Sequence, residues 1–238
     1  MIFGAILAGG IGSRMHTADM PKQFLPLGEK PILIHTLEKF LICSELQKVY
    51  IGVHCDWINY TEDLIGKYLS SVADRVTVVC GGADRNETIQ NIIIAIEKEH
   101  GVSEEHFIVT HDAVRPFVTT RMIEENIAAV KEYGAVDTVI PSVDTIVVSE
   151  NGETISDIPN RAKMYQGQTP QSFRVSLLKD LYRSLSEEEK GILTDACKIC
   201  VVRNYPVFLV EGDYTNLKIT TPGDYKIAQA MVGGKILD

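Results

Sequence analysis

Short β-branched runs alternate with longer stretches of helical period through the first 140 residues of the chain. The apolar runs at 3–7, 48–53, 76–80, 107–110 and 138–140 predict strands, and the stretches at 32–43, 58–70, 85–99 and 120–132 predict the helices between them. Such alternation requires crossover connections, so the expected fold is α/β: a mostly parallel twisted sheet with helices on both faces. No linker, low-complexity tract or internal repeat interrupts it, and residues 1–238 are read as one domain.

The alternation breaks after residue 143. Segments 144–150 and 153–158 are short and extended, and Asn151-Gly152 between them is a strong hairpin signal, predicting an arm that protrudes from the sheet. Beyond it the pattern predicts a helix at 175–184, a helix start at Ser186, and a strand at 207–210. A last helix begins at Thr221-Pro222, with threonine as N-cap and proline at the first helical position.

Composition narrows the function classes. With 23 basic and 32 acidic side chains the formal charge is −9, so a polyanion such as duplex nucleic acid meets net repulsion, and any bound phosphate needs local cations. Aromatic residues do not alternate with cations as a single-strand-binding face requires, and nucleic acid is not an expected partner. Apolar stretches fall short of a bilayer span, and no cationic region precedes the first apolar run; no membrane insertion and a cytoplasmic location are expected. The five cysteines predict no disulfide framework, and Cys197 and Cys200 read as small apolar residues three apart on one helical face.

In open α/β sheets ligands bind beyond the carboxyl ends of the strands, so the residues after each strand carry the chemistry. The first strand runs into Leu7-Ala8-Gly9-Gly10-Ile11-Gly12-Ser13-Arg14, whose glycines let backbone N–H groups approach a ligand while an arginine follows. Lys22 returns a second cation beside the same turn, which suits phosphate. A plain tight turn is the alternative. The loop is not a Walker motif, and Met15 stands where a dinucleotide fingerprint has its third glycine.

The third strand ends in Gly81-Gly82-Ala83-Asp84-Arg85, where Asp84 and Glu87 have capping-box spacing and could start a helix, touch a ligand, or both. The fourth ends in His111-Asp112-Ala113-Val114-Arg115-Pro116. Asp112 could hold Mg²⁺ bridged to phosphates, or form a surface pair with arginine.

Together, Gly9-Gly10-x-Gly12-x-Arg14 with Pro21-Lys22-Gln23, Gly81-Gly82-x-x-Arg85, His111-Asp112-Ala113-x-Arg115-Pro116, Gln168-Thr169-Pro170-Gln171 and Asn216-Leu217-Lys218-Ile219-Thr220 resemble the cytidylyltransferase family that includes the methylerythritol phosphate enzyme. The likeness runs end to end. Residues 135–139, 164–171 and 194–198 are most similar to the branch that uses ribitol 5-phosphate for teichoic acid synthesis, with methylerythritol phosphate as the alternative acceptor.

The resemblance implies a nucleotide-diphospho-sugar transferase type of Rossmann-like fold that binds CTP at the strand ends. Leu7, Ala8, Gly9, Gly10 and Gly12 then lie along the nucleotide, with Gly81, Gly82, Ala83, Asp84, Arg85, Thr88, Asp112 and Ala113 completing its site and the Thr88 hydroxyl at a pyrimidine edge. Arg14 and Lys22 are the implied catalytic residues. Asp112 is the implied Mg²⁺ ligand, and Arg115, Thr145, Arg161 and Lys218 the implied acceptor-binding residues.

The reaction implied is attack by the acceptor's phosphate on the α-phosphorus of CTP. Because the nucleophile is already an anion, no general base is needed, and none stands in the glycine loops. The family also implies a homodimer in which the arm at about 142–165 crosses to complete the neighbour's site, so that Arg161, otherwise an exposed arm residue, reaches an acceptor.

Readings from other classes fit less well. An oxidoreductase should show the third glycine and an acid at the end of the second strand, and a nucleotide sensor gives Arg14 and Lys22 no reason to be together.

Overall fold

The structure is a computed structural model and describes residues 1–10 and 20–234. Seven strands form the main sheet: β1 (Ile2–Ala8), β4 (Lys48–Val53), β5 (Val76–Cys80), β6 (Phe107–Asp112), β7 (Ala135–Pro141), β8 (Tyr165–Arg174) and β9 (Phe208–Glu211), in the order β5-β4-β1-β6-β8-β7-β9. Only β8 runs antiparallel to its neighbours β6 and β7. A two-stranded hairpin, β2 (Pro26–Leu27) with β3 (Lys30–Pro31), lies apart.

Alternation along each strand divides the core into two layers. Ile2, Ile6 and Ala8 of β1, with Val49 and Ile51 of β4, pack under α1 (Ile32–Ile42), α2 (Ile58–Tyr68) and α4 (Thr120–Tyr133). Phe3 and Ala5 of β1, with Tyr50 of β4, face the opposite way. They meet α3 (Arg85–His100), α5 (Val175–Arg183) and α7 (Cys197–Val202). Helices therefore cover both faces, as the periodicity predicts. Truncating a side chain as completely buried as Phe3 to alanine should cost on the order of 3–5 kcal/mol.

Strand β8 departs from expectation, because residues 165–174 carry no apolar alternation. It is a buried polar strand: Gln168, Thr169, Gln171 and Ser172 are all buried, and their hydrogen bonds replace apolar packing. The Thr169-Pro170 peptide is cis. The short helix α6 (Glu187–Gly191) is capped by the Ser186 and Glu189 box, and α8 (Pro222–Val232) starts on the Thr221 cap.

The arm also differs in detail. Asn151 and Gly152 do form its turn, with Gly152 at φ 74°, but the two limbs share a single bridge, Val148 with Asp157, instead of a ladder. The limbs are exposed on both sides, so no packed face fixes their register.

A second correction concerns the cysteines. Cys55 and Cys80 are disulfide-bonded, since β4 and β5 are parallel neighbours that end side by side, with Val53 paired to Cys80. Cys197 and Cys200 are buried on one face of α7 as expected, and burial pushes the Cys200 thiol up to about 12. Among the described residues no helix is long and apolar enough to cross a membrane.

Candidate active site

From β1 the chain goes out to β4 and β5 on one side, then returns to β6 on the other, so the sheet's switch point lies between β1 and β6. There Leu7 pairs with Asp112. A cleft opens above this pair, and its lining brings together Leu7, Ala8, Gly9, Gly10, Lys22, Gly82, Ala83, Asp84, Arg85, Thr88, Asp112, Ala113 and Lys218. All of these were singled out from sequence. Gln23 and Val114 also line it, standing in the motifs quoted above without an assigned role. Gly12 and Arg14 lie outside the described residues.

Each wall has a local cause. Gln23, in the short turn Lys22–Phe24, donates from Nε2 to the Ala8 carbonyl at 2.6 Å, which ties that turn to the end of β1 and sets Lys22 at the cleft. On the other wall Asp84 caps α3, accepting from Glu87 N at 2.8 Å, while Glu87 Oε2 accepts from Ala83 N at 2.7 Å. Gly82 has no room for a side chain, since a Cβ would lie 2.4 Å from Glu87 Cγ and 2.8 Å from its backbone carbon.

Thr88 braces this loop. Its hydroxyl donates to Asp84 O at 2.8 Å and accepts from Gly82 N at 3.0 Å, leaving one acceptor lone pair.

Asp112 is the centre of charge. Lys218 Nζ lies 2.8 Å from Oδ2, Arg115 Nε 3.6 Å from Oδ2 and Arg85 Nε 3.5 Å from Oδ1. Burial alone would raise this carboxyl, but Arg85, Lys218 and Arg115 together outweigh it and hold it well below the usual carboxylate range. Instead of a simple surface pair, a buried Asp112 and Arg115 are joined by a half-buried Arg85 and a more exposed Lys218, one anion among three cations. Arg115 is itself buried, with Nη1 donating to Asn216 O at 2.7 Å.

Asn216 in turn donates to Gln168 Oε1 at 3.0 Å and Thr169 O at 2.9 Å. The segments around 168–171 and 216–220 thus meet, and their contact places Lys218 over Asp112.

His111, beside Asp112, does not face the cleft. Nε2 faces the Arg115 carbonyl at 3.1 Å and donates to it, so in the neutral ring Nδ1 accepts from the Thr169 hydroxyl at 2.9 Å, while Thr169 Oγ1 accepts from Asp112 N at 3.2 Å. Burial pulls the imidazole down to about 4, in keeping with this neutral form.

Thr145 and Arg161 are not part of the cleft lining. Both are exposed on the arm, where Arg161 Nη1 donates to Val143 O at 3.1 Å. Gly81 stands just behind the cleft, with its N donating to Val53 O at 2.6 Å.

Behind Arg85 sits a polar cluster that periodicity could not reveal: Gln171, Asp137 and Asp195. Burial, helped by neighbouring Asp195, pushes the Asp137 carboxyl up to about 7.

A cleft at a sheet switch point, walled by glycine loops and lined by cations around one ionised aspartate, defines a nucleotidyltransferase of Rossmann-like fold. Residues 2–234 match the IspD family, 2-C-methyl-D-erythritol 4-phosphate cytidylyltransferase. The chain belongs to that family, and is a cytidylyltransferase.

Similar solved structures include 4-diphosphocytidyl-2C-methyl-D-erythritol synthase from Anaerococcus prevotii, 25% identical over 98% of this chain and 98% of that one, with TM-score 0.79. The 2-C-methyl-D-erythritol 4-phosphate cytidylyltransferase of Thermus thermophilus is 26% identical over 98% and 100% of the two chains, with TM-score 0.75. The Francisella tularensis enzyme of the same name is 25% identical over 95% and 97%, with TM-score 0.78.

Proposed function

We propose that the protein transfers CMP from CTP to ribitol 5-phosphate, giving CDP-ribitol and pyrophosphate for teichoic acid synthesis. The observation that carries the transfer chemistry is the convergence of Lys22, Arg85 and Lys218 on the cleft around Asp112. A negatively charged protein gathers cations here because two anions, a triphosphate and an acceptor phosphate, must come together. The acceptor's phosphate oxygen attacks the α-phosphorus, and the bond to the pyrophosphate breaks as charge moves onto the leaving group.

Preorganised cations and loop N–H groups stabilise that shift. Proton abstraction has no part in it, which suits a described cleft lining without histidine.

Mg²⁺ belongs to this proposal. Asp112, ionised and facing the cleft, fits the mode in which Mg²⁺ takes a single protein carboxylate, substrate phosphates and water, and would hold the ion. When bound, the ion would add further neutralisation of phosphate charge. Asp84, the other carboxylate of the lining, is engaged in capping α3.

The acceptor preference rests on segments 135–139, 164–171 and 194–198, whose likeness is to the ribitol branch. The family match and the names of the similar solved structures favour a second reading, transfer to 2-C-methyl-D-erythritol 4-phosphate. Pyrophosphate release from CTP with ribitol 5-phosphate, methylerythritol phosphate or ribulose 5-phosphate decides between them. Faster release with methylerythritol phosphate would overturn the ribitol assignment.

We further infer a homodimer built through the arm. Val143, Val147, Ile155 and Ile158 are exposed there, an apolar surface that a second copy would cover. Arg161 and Thr145 would then serve the partner's acceptor.

A further inference from the structure

Gln171 lies in β8 between Thr110 of β6 and Asp137 of β7, and is completely buried. A primary amide offers two N–H donors on one side and an acceptor oxygen on the other. Here Nε2 is 2.9 Å from Asp137 Oδ1 and 2.6 Å from Asp195 Oδ2, while Oε1 accepts from Arg85 Nη2 at 3.0 Å. The reverse orientation would turn the oxygen toward two carboxylates and the NH₂ group toward a guanidinium, so two acids on one side admit only one way round.

Arg85 depends on this arrangement. Its only other described polar contact is the longer approach of Nε to Asp112 Oδ1, at 3.5 Å, and its Nη1 is buried without a hydrogen-bond partner. Asp195 is held independently, since its Oδ1 accepts from Cys197 N at 2.7 Å at the start of α7. A line of contacts thus runs from Asp195, just before α7, through Gln171 and Arg85 to Asp112.

We propose that Gln171 is a positioning residue for the transfer reaction: oriented by Asp137 and Asp195, its amide oxygen fixes the Arg85 guanidinium beside Asp112 in the cleft. The inference rests on the CTP-dependent transfer proposed above.

The test is a double-mutant cycle between Gln171→Met, which keeps the volume and removes the hydrogen bonds, and Arg85→Lys, which removes the fork. The readouts are kcat/KM for pyrophosphate release and the Kd for CTP. In the wild-type background Gln171→Met should lower kcat/KM at least about tenfold, and in the Arg85→Lys background less than about threefold.

A buried side chain that mattered only for folding would lower activity by the same factor in both backgrounds, and that result would overturn the proposal. So would wild-type kcat/KM in Gln171→Met. Asp195→Asn repeats the cycle at a partly buried position, should the first variant fold poorly, because an asparagine oxygen can still accept from Cys197 N. A loss seen only when Arg85 is present supports the assignment, and equal losses refute it. A wild type that binds CTP yet transfers to neither acceptor defeats the reading of the reaction, while the cycle on CTP affinity still judges Gln171.

Discussion

The strand-end cleft and the arm are built on opposite plans. Around the cleft side-chain ties join separate segments: Gln23 to Ala8, Thr88 to Gly82 and Asp84, Asn216 to Gln168 and Thr169, and three cations to Asp112. The arm has one bridge, exposed apolar side chains and hydrogen bonds largely within itself. A low-dielectric, preorganised cleft suits charge stabilisation, where loss of one donor is expensive. An exposed strap is poorly suited to that task alone, and the proposed dimer would give its Arg161 and Thr145 a partner's site to serve.

The largest effect expected in the cleft is on turnover. Lys22→Ala should keep the fold, as judged by circular dichroism, and lower kcat roughly 10²- to 10³-fold in steady-state pyrophosphate release. Turnover close to wild type would remove Lys22 from the catalytic role.

Asp112→Asn sharpens the contrast differently, because it leaves Arg85, Arg115 and Lys218 facing one another. Besides lost turnover, denaturant unfolding should show a loss of roughly 3 kcal/mol, the usual scale for breaking a buried ion pair from one side. The same assay on Arg161→Ala, on the arm, should show no change beyond about 0.5 kcal/mol.

The comparison also makes a claim about copies. Lys22→Ala and Arg161→Ala proteins, each weakly active, should recover part of the wild-type turnover when mixed under conditions of subunit exchange. Failure to complement despite exchange shown by mass spectrometry would mean that each site is contained in one chain.

The smallest effect is a pH dependence behind the cleft. Asp137 has a folded-state value near 7, above that of an unfolded aspartate, so the native state binds the extra proton. Its contribution is therefore favourable at low pH and is lost as pH rises through about 7. Asp137→Asn, which can still accept from Gln171, should raise stability by about 1 kcal/mol at pH 8, discounted for partial exposure, with the gain shrinking below pH 7 and vanishing near pH 3, below the unfolded value. Urea titrations across this pH range check this.

Much of the scaffold is legible in the sequence for physical reasons. Strands 48–53 and 76–80 match β4 and β5 to the residue, because β-branched runs bounded by turn residues have little alternative. Asp84 and Thr221 act as N-caps where capping chemistry puts them.

What escapes reading is decided across the fold. Strand β8 is polar because its partners are polar side chains from β6, α4 and the 216–218 segment, and a pattern rule for apolar alternation cannot see it. Cys55 and Cys80 are 25 residues apart, and only the pairing of β4 with β5 joins them. Gln23 was legible as a neighbour of Lys22, but its tie to Ala8 needs the turn at 22–24 to exist first. Gln171 stood within a recognisable segment, yet its acid partners come from β7 and the start of α7.

The most direct trial of the central claim follows the α-phosphorus. With CTP labelled there, wild-type enzyme and Mg²⁺ should carry the label into a CDP-polyol, in equal amount to the pyrophosphate released, when ribitol 5-phosphate is supplied. Label recovered as CMP, or no CTP consumed with any polyol phosphate offered, would contradict the assignment of transfer chemistry to this cleft.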